Sequence, residues 1–284
     1  MAARPPTLTA AVAPVLVGTA AAAHDGHFKA LPFFGALLAA LLIQVGTNLA
    51  NDVSDFQRGA DVTGRLGPLR VTQAGLVSPQ SVQRATVLTF AAAGAIGLYL
   101  VSVGGIPILL IGVLSVLAGI TYTGGPWPFG YHGLGDLFVF VFFGLAAVLG
   151  SAYLQGKEIT STAVASAIPI GLTVTAILVI NNLRDVDSDR QAGKRTLAVI
   201  LGPAFARGEF TAQILGAYLL TAAFAAAGLL PWLSLLSWIT LPIGILLVGR
   251  ILGGAQGREL NLVLKGVARL HLLFGLLLAG GLAI

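Results

Sequence analysis

The sequence predicts an all-α membrane protein with nine transmembrane helices. Of its 284 residues, 56% are hydrophobic and only 10% are charged, whereas a soluble domain carries about 25% charged residues. The mean hydropathy is +0.92, and the apolar runs reach the roughly 20 residues that a membrane-spanning helix needs. These runs are too long and too uniformly apolar for the strands of a closed barrel, so helices are the expected elements.

Nine apolar runs follow one another along a single predicted domain, residues 1–284. The first run has charges on both flanks and is interpreted as a span, not as a cleaved signal. Gly104, Gly105 and Pro107 separate the third span from the fourth, and Pro231 separates the seventh from the eighth. The predicted spans are 7–23, 31–52, 82–103, 106–123, 135–154, 162–183, 208–229, 231–250 and 264–283.

The basic residues indicate how these spans are oriented. With nine spans, 14 of the 16 Lys and Arg residues fall on one side of the membrane, and only Lys29 and Lys157 fall on the other. The positive-inside rule then places the N-terminus and the loops after spans two, four, six and eight in the cytoplasm. The sequence therefore predicts a multi-pass protein of the cell membrane whose site loops are cytoplasmic.

Composition also excludes several classes of function. The chain has no Cys, which rules out disulfides, thiolate metal sites and a cysteine nucleophile. The net charge of +5 resides in loops between spans, so it does not indicate a nucleic-acid partner; the expected partner is the lipid bilayer. The sequence does not define an oligomeric state.

Two acidic clusters end the second and sixth predicted spans. The first begins at Asn51, Asp52 and Asp55 and continues to Asp61, and the second is the run 181–189. Both contain Asn-x-x-x-Asp. If the helix continues through the first cluster, its spacing predicts that Asn48, Asn51, Asp52 and Asp55 lie on one face; in the second cluster, the spacing predicts that Asn181, Asp185 and Asp189 also share a face. Carboxylates at the end of a membrane helix are costly, so they are functional candidates.

Oxygen ligands without Cys favour a hard cation, and Mg²⁺ is the expected cofactor. Mg²⁺ is usually held by one or two carboxylates together with substrate phosphates. Arg70, Lys194 and Arg195 lie near the clusters in sequence and can donate charge-assisted hydrogen bonds to those phosphates. The expected substrate is a long-chain prenyl diphosphate, because its head needs metal and its tail needs an apolar environment.

Two other interpretations of the acidic clusters remain open. Juxtamembrane Asp residues often only pair with a neighbouring cation, here Arg58, Arg184 or Arg190. A cation-coupled transporter also uses intramembrane carboxylates, but it would place them near the middle of a span. Two clusters with the same core on the same side favour a metal and diphosphate site over both interpretations.

The cytoplasmic loop between the fourth and fifth spans, residues 121–136, is rich in Gly and aromatic residues. Asp136 and Tyr131 are candidates to hold or deprotonate a phenolic acceptor. The rings of Trp127 and Phe129 could stabilise a carbocation, or they could belong to an interfacial aromatic belt. The sequence does not decide between these two roles for the rings.

These motifs resemble those of the UbiA-type intramembrane prenyltransferases, which carry N-x-x-x-D-x-x-x-D and D-x-x-x-D. Asp185 and Asp189 match the second motif. Asn51 and Asp55 begin the first motif, but the next acid is Asp61, and position 59 is Gly. In this spacing the sequence resembles the branch of the family that prenylates 1,4-dihydroxy-2-naphthoate in menaquinone biosynthesis. Further similar stretches are Arg4-Pro5-x-Thr7-Leu8, Gly67-Pro68-Leu69-Arg70-Val71-Thr72-Gln73, Tyr131-His132-Gly133-Leu134-Gly135-Asp136 and Gly193-Lys194-Arg195-Thr196-Leu197-Ala198.

The resemblance implies a bundle of nine helices around a central cavity that opens to lipid. It implies transfer of a polyprenyl group to 1,4-dihydroxy-2-naphthoate, with loss of diphosphate and CO₂, giving demethylmenaquinol. The alternative acceptors are those of phytyl transfer, 4-hydroxybenzoate and homogentisate. The implied Mg²⁺ ligands are Asn51, Asp55, Asp61, Asp185 and Asp189, with Asp52 in support. The diphosphate would contact Asn51, Asn181, Arg70, Lys194 and Arg195, and the implied catalytic residues are Asp55, Asp185, Asp136 and Tyr131.

Overall fold

The computed structural model describes residues 4–59, 66–67 and 70–284, apart from the side chains of Pro5 and Pro6. All regular elements within these residues are helical. They comprise α1 (Pro5–His24), α2 (Ala30–Gln57), α3 (Pro79–Gly104), α4 (Ile106–Thr121), α5 (Gly135–Val139), α6 (Ala147–Gly156), α7 (Ser161–Arg184), α8 (Val186–Gln191), α9 (Leu197–Ile200), α10 (Gly202–Ala226), α11 (Leu241–Leu252) and α12 (Glu259–Ala283). Two 3₁₀ segments, Phe129–Tyr131 and Trp232–Thr240, and a π-helical turn, Phe140–Ala146, complete the set.

In the described part of the chain, eight helical segments are long and apolar enough to cross a membrane. The fourth predicted span, residues 106–123, corresponds to α4, which has 16 residues and is shorter than the roughly 20 that a full span needs. Gly105, with φ 68°, joins α3 to α4 in a helical hairpin. This backbone conformation favours glycine, because glycine has no Cβ.

Two of the spans are not uniform α-helices. The segment Gly135–Gly156 consists of α5, a π-helical turn from Phe140 to Ala146, and α6. Such π-helical turns are frequent at functional sites. The segment Trp232–Leu252 begins as a 3₁₀ helix after Pro231 and continues as α11.

Helix α7 lies at the centre of the bundle. In the most apolar stretch of α7, 78% is buried, compared with 17% in that of α3. Helix α7 packs against α1, α10 and α12. Close approach of the π-helical turn to α7 requires glycine on both sides, because a Cβ added to Gly144 would lie 2.5 Å from Gly171 Cα. Small residues of this kind let membrane helices pack closely.

The ends of α2 and α7 differ from each other. Helix α2 continues to Gln57, so Asn51 and Asp55 lie on one helical face, as the spacing predicts. Asn181, Asp185 and Asp189 do not belong to one continuous helix, because α7 ends at Arg184. The amides of Asp185 and Asp189 each still donate to the carbonyl four residues earlier, and all three side chains reach one cavity, as their spacing predicts. Asp185 (φ −95°, ψ 8°) ends α7 and precedes α8, and its carbonyl accepts hydrogen bonds from the Asp189 amide and the Ser188 hydroxyl.

Candidate active site

A small polar cavity, of about 60 Å³, lies where α2 and α7 end. Both acidic clusters reach it, together with the loop between α4 and α5 and the segment between α8 and α9. The lining residues are Arg4, Asn51, Asp55, Arg70, Tyr122, Thr123, Gly130, Tyr131, Asn181, Asn182, Asp185, Asp189, Lys194 and Thr196.

Asp55 accepts three hydrogen bonds from side chains around the cavity. Arg70 Nη2 donates to Oδ2 at 2.5 Å, and Lys194 Nζ donates to the same oxygen at 3.1 Å. Tyr131 Oη donates to Oδ1 at 2.7 Å. The carboxylate is only 1% exposed, and burial of a charge is tolerated only when it is paired and hydrogen-bonded.

Asn51 lies one helical turn before Asp55 and is fixed by two neighbours. Thr123 Oγ1 donates to Asn51 Oδ1 at 2.8 Å, and Arg70 Nη1 donates to the Asn51 carbonyl at 2.8 Å. Arg70 therefore contacts two members of the first cluster. Arg58, at the end of α2, donates to the carbonyls of Thr123 and Gly125, which holds the loop after α4 against the cavity.

Asp185 is held by the residue that precedes it. Arg184 Nε donates to Asp185 Oδ1 at 2.8 Å, and Nη2 donates to Oδ2 at 2.6 Å. Arg184 Nη2 also donates to Asn181 Oδ1 at 2.8 Å. Asp185 is therefore paired with a neighbouring cation, as the alternative interpretation of the clusters expects, and its carboxylate still lines the cavity.

The remaining acids of the two clusters lie in different environments. Asp189 lines the cavity. Asp52 is buried outside its lining and accepts a hydrogen bond from the Thr72 amide at 3.3 Å. Asp187 is 86% exposed beside Arg190. Asp61 lies outside the residues that the structure describes.

Tyr131 contributes both its hydroxyl and its ring. The ring lies 4.8 Å from Lys194 Nζ and 5.6 Å from the Arg58 guanidinium carbon, measured to the ring centroid. Burial raises the pKa of the Tyr131 hydroxyl well above its usual value, and the charge of Asp55 and its hydrogen bond raise it further. The hydroxyl therefore remains protonated and donates to Asp55.

An apolar cavity of about 540 Å³ lies among α1, α2, α3, α4, the π-helical turn and α6. Tyr122 lines both this cavity and the polar one. The ring of Phe129 meets that of Tyr122 edge-on at 5.4 Å and stacks on Phe138 at 3.9 Å. An aromatic wall therefore leads from the polar cavity into the apolar one.

The structure does not bring every predicted site residue to these cavities. Asp136 is buried outside both linings, and within the described ranges its Oδ1 has no hydrogen-bond partner. Arg195 is exposed, and its amide donates to the Tyr131 carbonyl. Trp127 is 56% exposed and stacks on His132, whereas Phe129 lines the apolar cavity.

The donor set of the polar cavity suits Mg²⁺ bound together with a diphosphate. Three acidic and three basic side chains line it: Asp55, Asp185, Asp189, Arg4, Arg70 and Lys194. Over the described residues, no group of three or more His, Asp or Glu side chains forms a complete metal site. Mg²⁺ usually takes one or two carboxylates and completes its shell with phosphate oxygens and water. A divalent cation would also offset the negative charge that a diphosphate adds.

Sequence reasoning missed several residues of the site. Tyr122 and Thr123 line the polar cavity, but their residue types are common in loops and gave no reason to assign them a role. Arg4 and Thr196 also line it; both lie in stretches that resemble the family, but neither was predicted to belong to the site. Arg184 was expected only to neutralise a nearby acid. The spacing of the second cluster does not indicate that it donates to both oxygens of Asp185.

Comparisons with known proteins agree with this geometry. Residues 11–277 match the UbiA prenyltransferase family. The chain is 43% identical over 86% of its length to a 1,4-dihydroxy-2-naphthoate octaprenyltransferase of Escherichia coli, covering 80% of that protein. It is 38% identical over 99% of its length to the enzyme of that name from Mycobacterium tuberculosis, covering 95%. A 2-carboxy-1,4-naphthoquinone phytyltransferase of Synechocystis is 30% identical over 98% of this chain and 90% of that protein.

Solved structures share the fold. A UbiA homolog from Aeropyrum pernix superposes with a TM-score of 0.72 at 20% identity, covering 95% of this chain and 96% of that one. A UbiA homolog from Archaeoglobus fulgidus, bound to DMAPP and Mg²⁺, gives a TM-score of 0.70 at 16% identity, covering 99% and 98%. From the family match and the identity to full-length relatives, the chain belongs to the UbiA prenyltransferase family.

Proposed function

We propose that this protein transfers a polyprenyl group from a prenyl diphosphate to 1,4-dihydroxy-2-naphthoate in menaquinone biosynthesis. One observation carries the proposal: a polar cavity lined by both acidic clusters adjoins a larger apolar cavity, and Tyr122 lines both. A diphosphate head and a hydrocarbon tail need two such environments side by side. The naphthoate octaprenyltransferases at 43% and 38% identity support this choice of acceptor.

The residues of the polar cavity would bind the diphosphate and stabilise its charge as it leaves. Arg70 and Lys194 supply positive charge and charge-assisted hydrogen bonds, and the amides of Asn51 and Asn181 contribute further polar contacts. Asp55, Asp185 and Asp189, with Asn51 and Asp61, would hold Mg²⁺, with Asp52 in support. When bound, Mg²⁺ supplies Lewis-acid stabilisation of the leaving diphosphate.

Departure of diphosphate leaves an allylic carbocation at the boundary between the two cavities. The electron-rich ring carbon of the acceptor attacks this cation. The electron pair left when the acceptor's carboxylate departs as CO₂ restores the aromatic ring, so no proton is lost overall. The aromatic wall around Tyr122 and Phe129 keeps water away from the cation. Tyr131, which lines the polar cavity, orients the acceptor. Asp136 lies outside both cavity linings and Arg195 is exposed, so neither is placed to contact the acceptor directly.

We also infer the setting of the reaction. The chain forms one transmembrane domain of nine helices around a central cavity open to lipid, with α4 as a short ninth span. The protein lies in the cell membrane, with its N-terminus and site loops in the cytoplasm. The distribution of 14 basic residues on one side supports this orientation.

Phytyl transfer to a naphthoquinone-type acceptor is the second candidate function. It is favoured by the Synechocystis phytyltransferase, which is 30% identical over 98% of this chain. Both functions use the same diphosphate site and a bicyclic acceptor, so they differ in the prenyl donor.

The acceptor and the metal requirement can be tested together. We expect purified protein in detergent, given geranylgeranyl diphosphate and Mg²⁺, to prenylate 1,4-dihydroxy-2-naphthoate and not 4-hydroxybenzoate, and EDTA should abolish the product. A parallel reaction with phytyl diphosphate tests the second candidate. Product from the benzoate alone would contradict the proposed acceptor, and full activity in EDTA would contradict the metal.

Asp185 and Asp187 form a matched pair for testing the carboxylates. Asp185→Asn should lower kcat at least about 100-fold, because it removes an anionic ligand of the Mg²⁺ that would stabilise the leaving diphosphate. Asp187→Asn should retain wild-type kinetics, because its carboxylate is 86% exposed. Turnover numbers and melting temperatures of both variants decide the question, and equal activities would refute a role for Asp185.

The hydroxyl of Tyr131 gives a prediction about pH. Tyr131→Phe should lower kcat about 10-fold, the cost of a charge-assisted hydrogen bond. Because the pKa of the Tyr131 hydroxyl lies above its usual value of about 10, the hydroxyl stays protonated at every pH below that value. The alkaline limb of the pH–rate profile should therefore be the same in wild type and variant. A shift of that limb in Tyr131→Phe would show that Tyr131 titrates during turnover.

Orientation can be tested by cysteine labelling, since the chain has no Cys of its own. Glu158→Cys lies in the loop between α6 and α7, and Gln191→Cys lies at the end of α8, on the side of the polar cavity. A membrane-impermeant maleimide should label Glu158→Cys in intact cells, and Gln191→Cys only after permeabilisation. The reverse pattern would invert the proposed topology.

A further inference from the structure

Asn261, near the start of α12, joins two segments that are distant in sequence. Its side-chain Oδ1 accepts a hydrogen bond from Arg184 Nη1 at 3.2 Å. Its Nδ2 donates to the Leu66 carbonyl at 2.9 Å. Both ends of one amide are therefore occupied, one by the end of α7 and the other by the loop that follows α2.

Asn261 contacts Arg184, and Arg184 in turn contacts Asp185, a carboxylate of the cavity. Arg184 is 4% exposed and is outside the cavity lining, whereas Asp185 is part of it. Arg184 donates one hydrogen bond to each carboxylate oxygen of Asp185.

The guanidinium group of Arg184 donates hydrogen bonds to three residues. Asp185 and Asn181 accept hydrogen bonds from Nε and Nη2, and Asn261 accepts one from Nη1. A planar guanidinium fixed in this way also fixes the plane of the carboxylate that it contacts. The orientation of Asp185 therefore depends on α12, through Arg184.

The contact with Leu66 concerns the first acidic cluster. Leu66 lies between Asp61 and Arg70 in sequence, and Arg70 is the cation that contacts Asp55 and Asn51. The same amide that accepts from Arg184 therefore also contacts a residue four positions before Arg70.

We propose that Asn261 is a positioning residue for the metal and diphosphate site, acting through Arg184 on Asp185 and through Leu66 on the loop of the first cluster. This inference rests on the proposed function, because it assumes that Asp185 is a metal ligand. Partners behind metal ligands orient them, and their loss typically lowers metal affinity about 10- to 100-fold.

The test measures metal binding without turnover. Mn²⁺ takes oxygen ligands as Mg²⁺ does, and electron paramagnetic resonance quantifies the free ion during a titration of purified protein with inorganic diphosphate present. We expect Asn261→Ala to weaken Mn²⁺ binding about 10-fold or more. In activity assays the Mg²⁺ concentration for half-maximal rate should rise by the same factor, with a smaller change in kcat at saturating Mg²⁺.

Gln213→Ala is the matched control, because it removes an amide that contacts Glu209 on α10, away from the cavity; it should bind Mn²⁺ as the wild type does. Arg184→Lys is a second variant that decides the matter if Asn261→Ala does not fold. It keeps the positive charge but cannot donate to both oxygens of Asp185, so Mn²⁺ affinity should fall.

The outcomes separate the two proposals. Wild-type Mn²⁺ affinity in a folded Asn261→Ala protein, or in Arg184→Lys where the alanine variant does not fold, overturns the role of Asn261. Failure of the wild-type protein itself to bind Mn²⁺ and to form prenylated product overturns the proposed function instead.

Discussion

The carboxylates at the ends of α2 and α7 are stable in an apolar bundle because cations of the same chain neutralise them. Asp55 is paired with Arg70 and Lys194, and Asp185 is paired with Arg184. Desolvation of a buried ion pair can exceed its Coulomb attraction, so pairs of this kind are weak evidence for stability. The proposed Mg²⁺ and diphosphate give these pairs a function that stability alone does not.

These ion pairs also determine the tertiary arrangement of the loops. Asp55 is contacted from three segments: Arg70 from the loop after α2, Tyr131 from the loop before α5, and Lys194 from the segment after α8. The apolar helices provide a scaffold with little directional preference, whereas these hydrogen bonds are directional and charge-assisted. The cavity is therefore shaped by a few polar contacts around one carboxylate.

The sequence was informative where structure follows from local periodicity. Apolar runs located the spans, and the spacing of Asn51 and Asp55 placed them on one face because α2 continues through them. The spacing did not show that α7 ends at Arg184, because a helix end depends on backbone hydrogen bonds that spacing does not encode. Asn181, Asp185 and Asp189 nevertheless line the same cavity. The contact of Asn261 with Arg184 joins residues 77 positions apart, and no pattern in one sequence indicates such a pair.

The glycine-rich loop before α5 has a physical role that its composition alone did not reveal. A Cβ on Gly130 would lie 2.6 Å from the Tyr122 carbonyl, and one on Gly135 would lie 3.3 Å from the Tyr122 hydroxyl. Glycine at these positions therefore lets the loop close around the ring that lines both cavities. For the proposed reaction, the bond that breaks joins the diphosphate to the hydrocarbon, and it must lie where the polar and apolar cavities meet. Since Tyr122 forms that boundary, the packing of the loop places the reacting carbon as well as the ring.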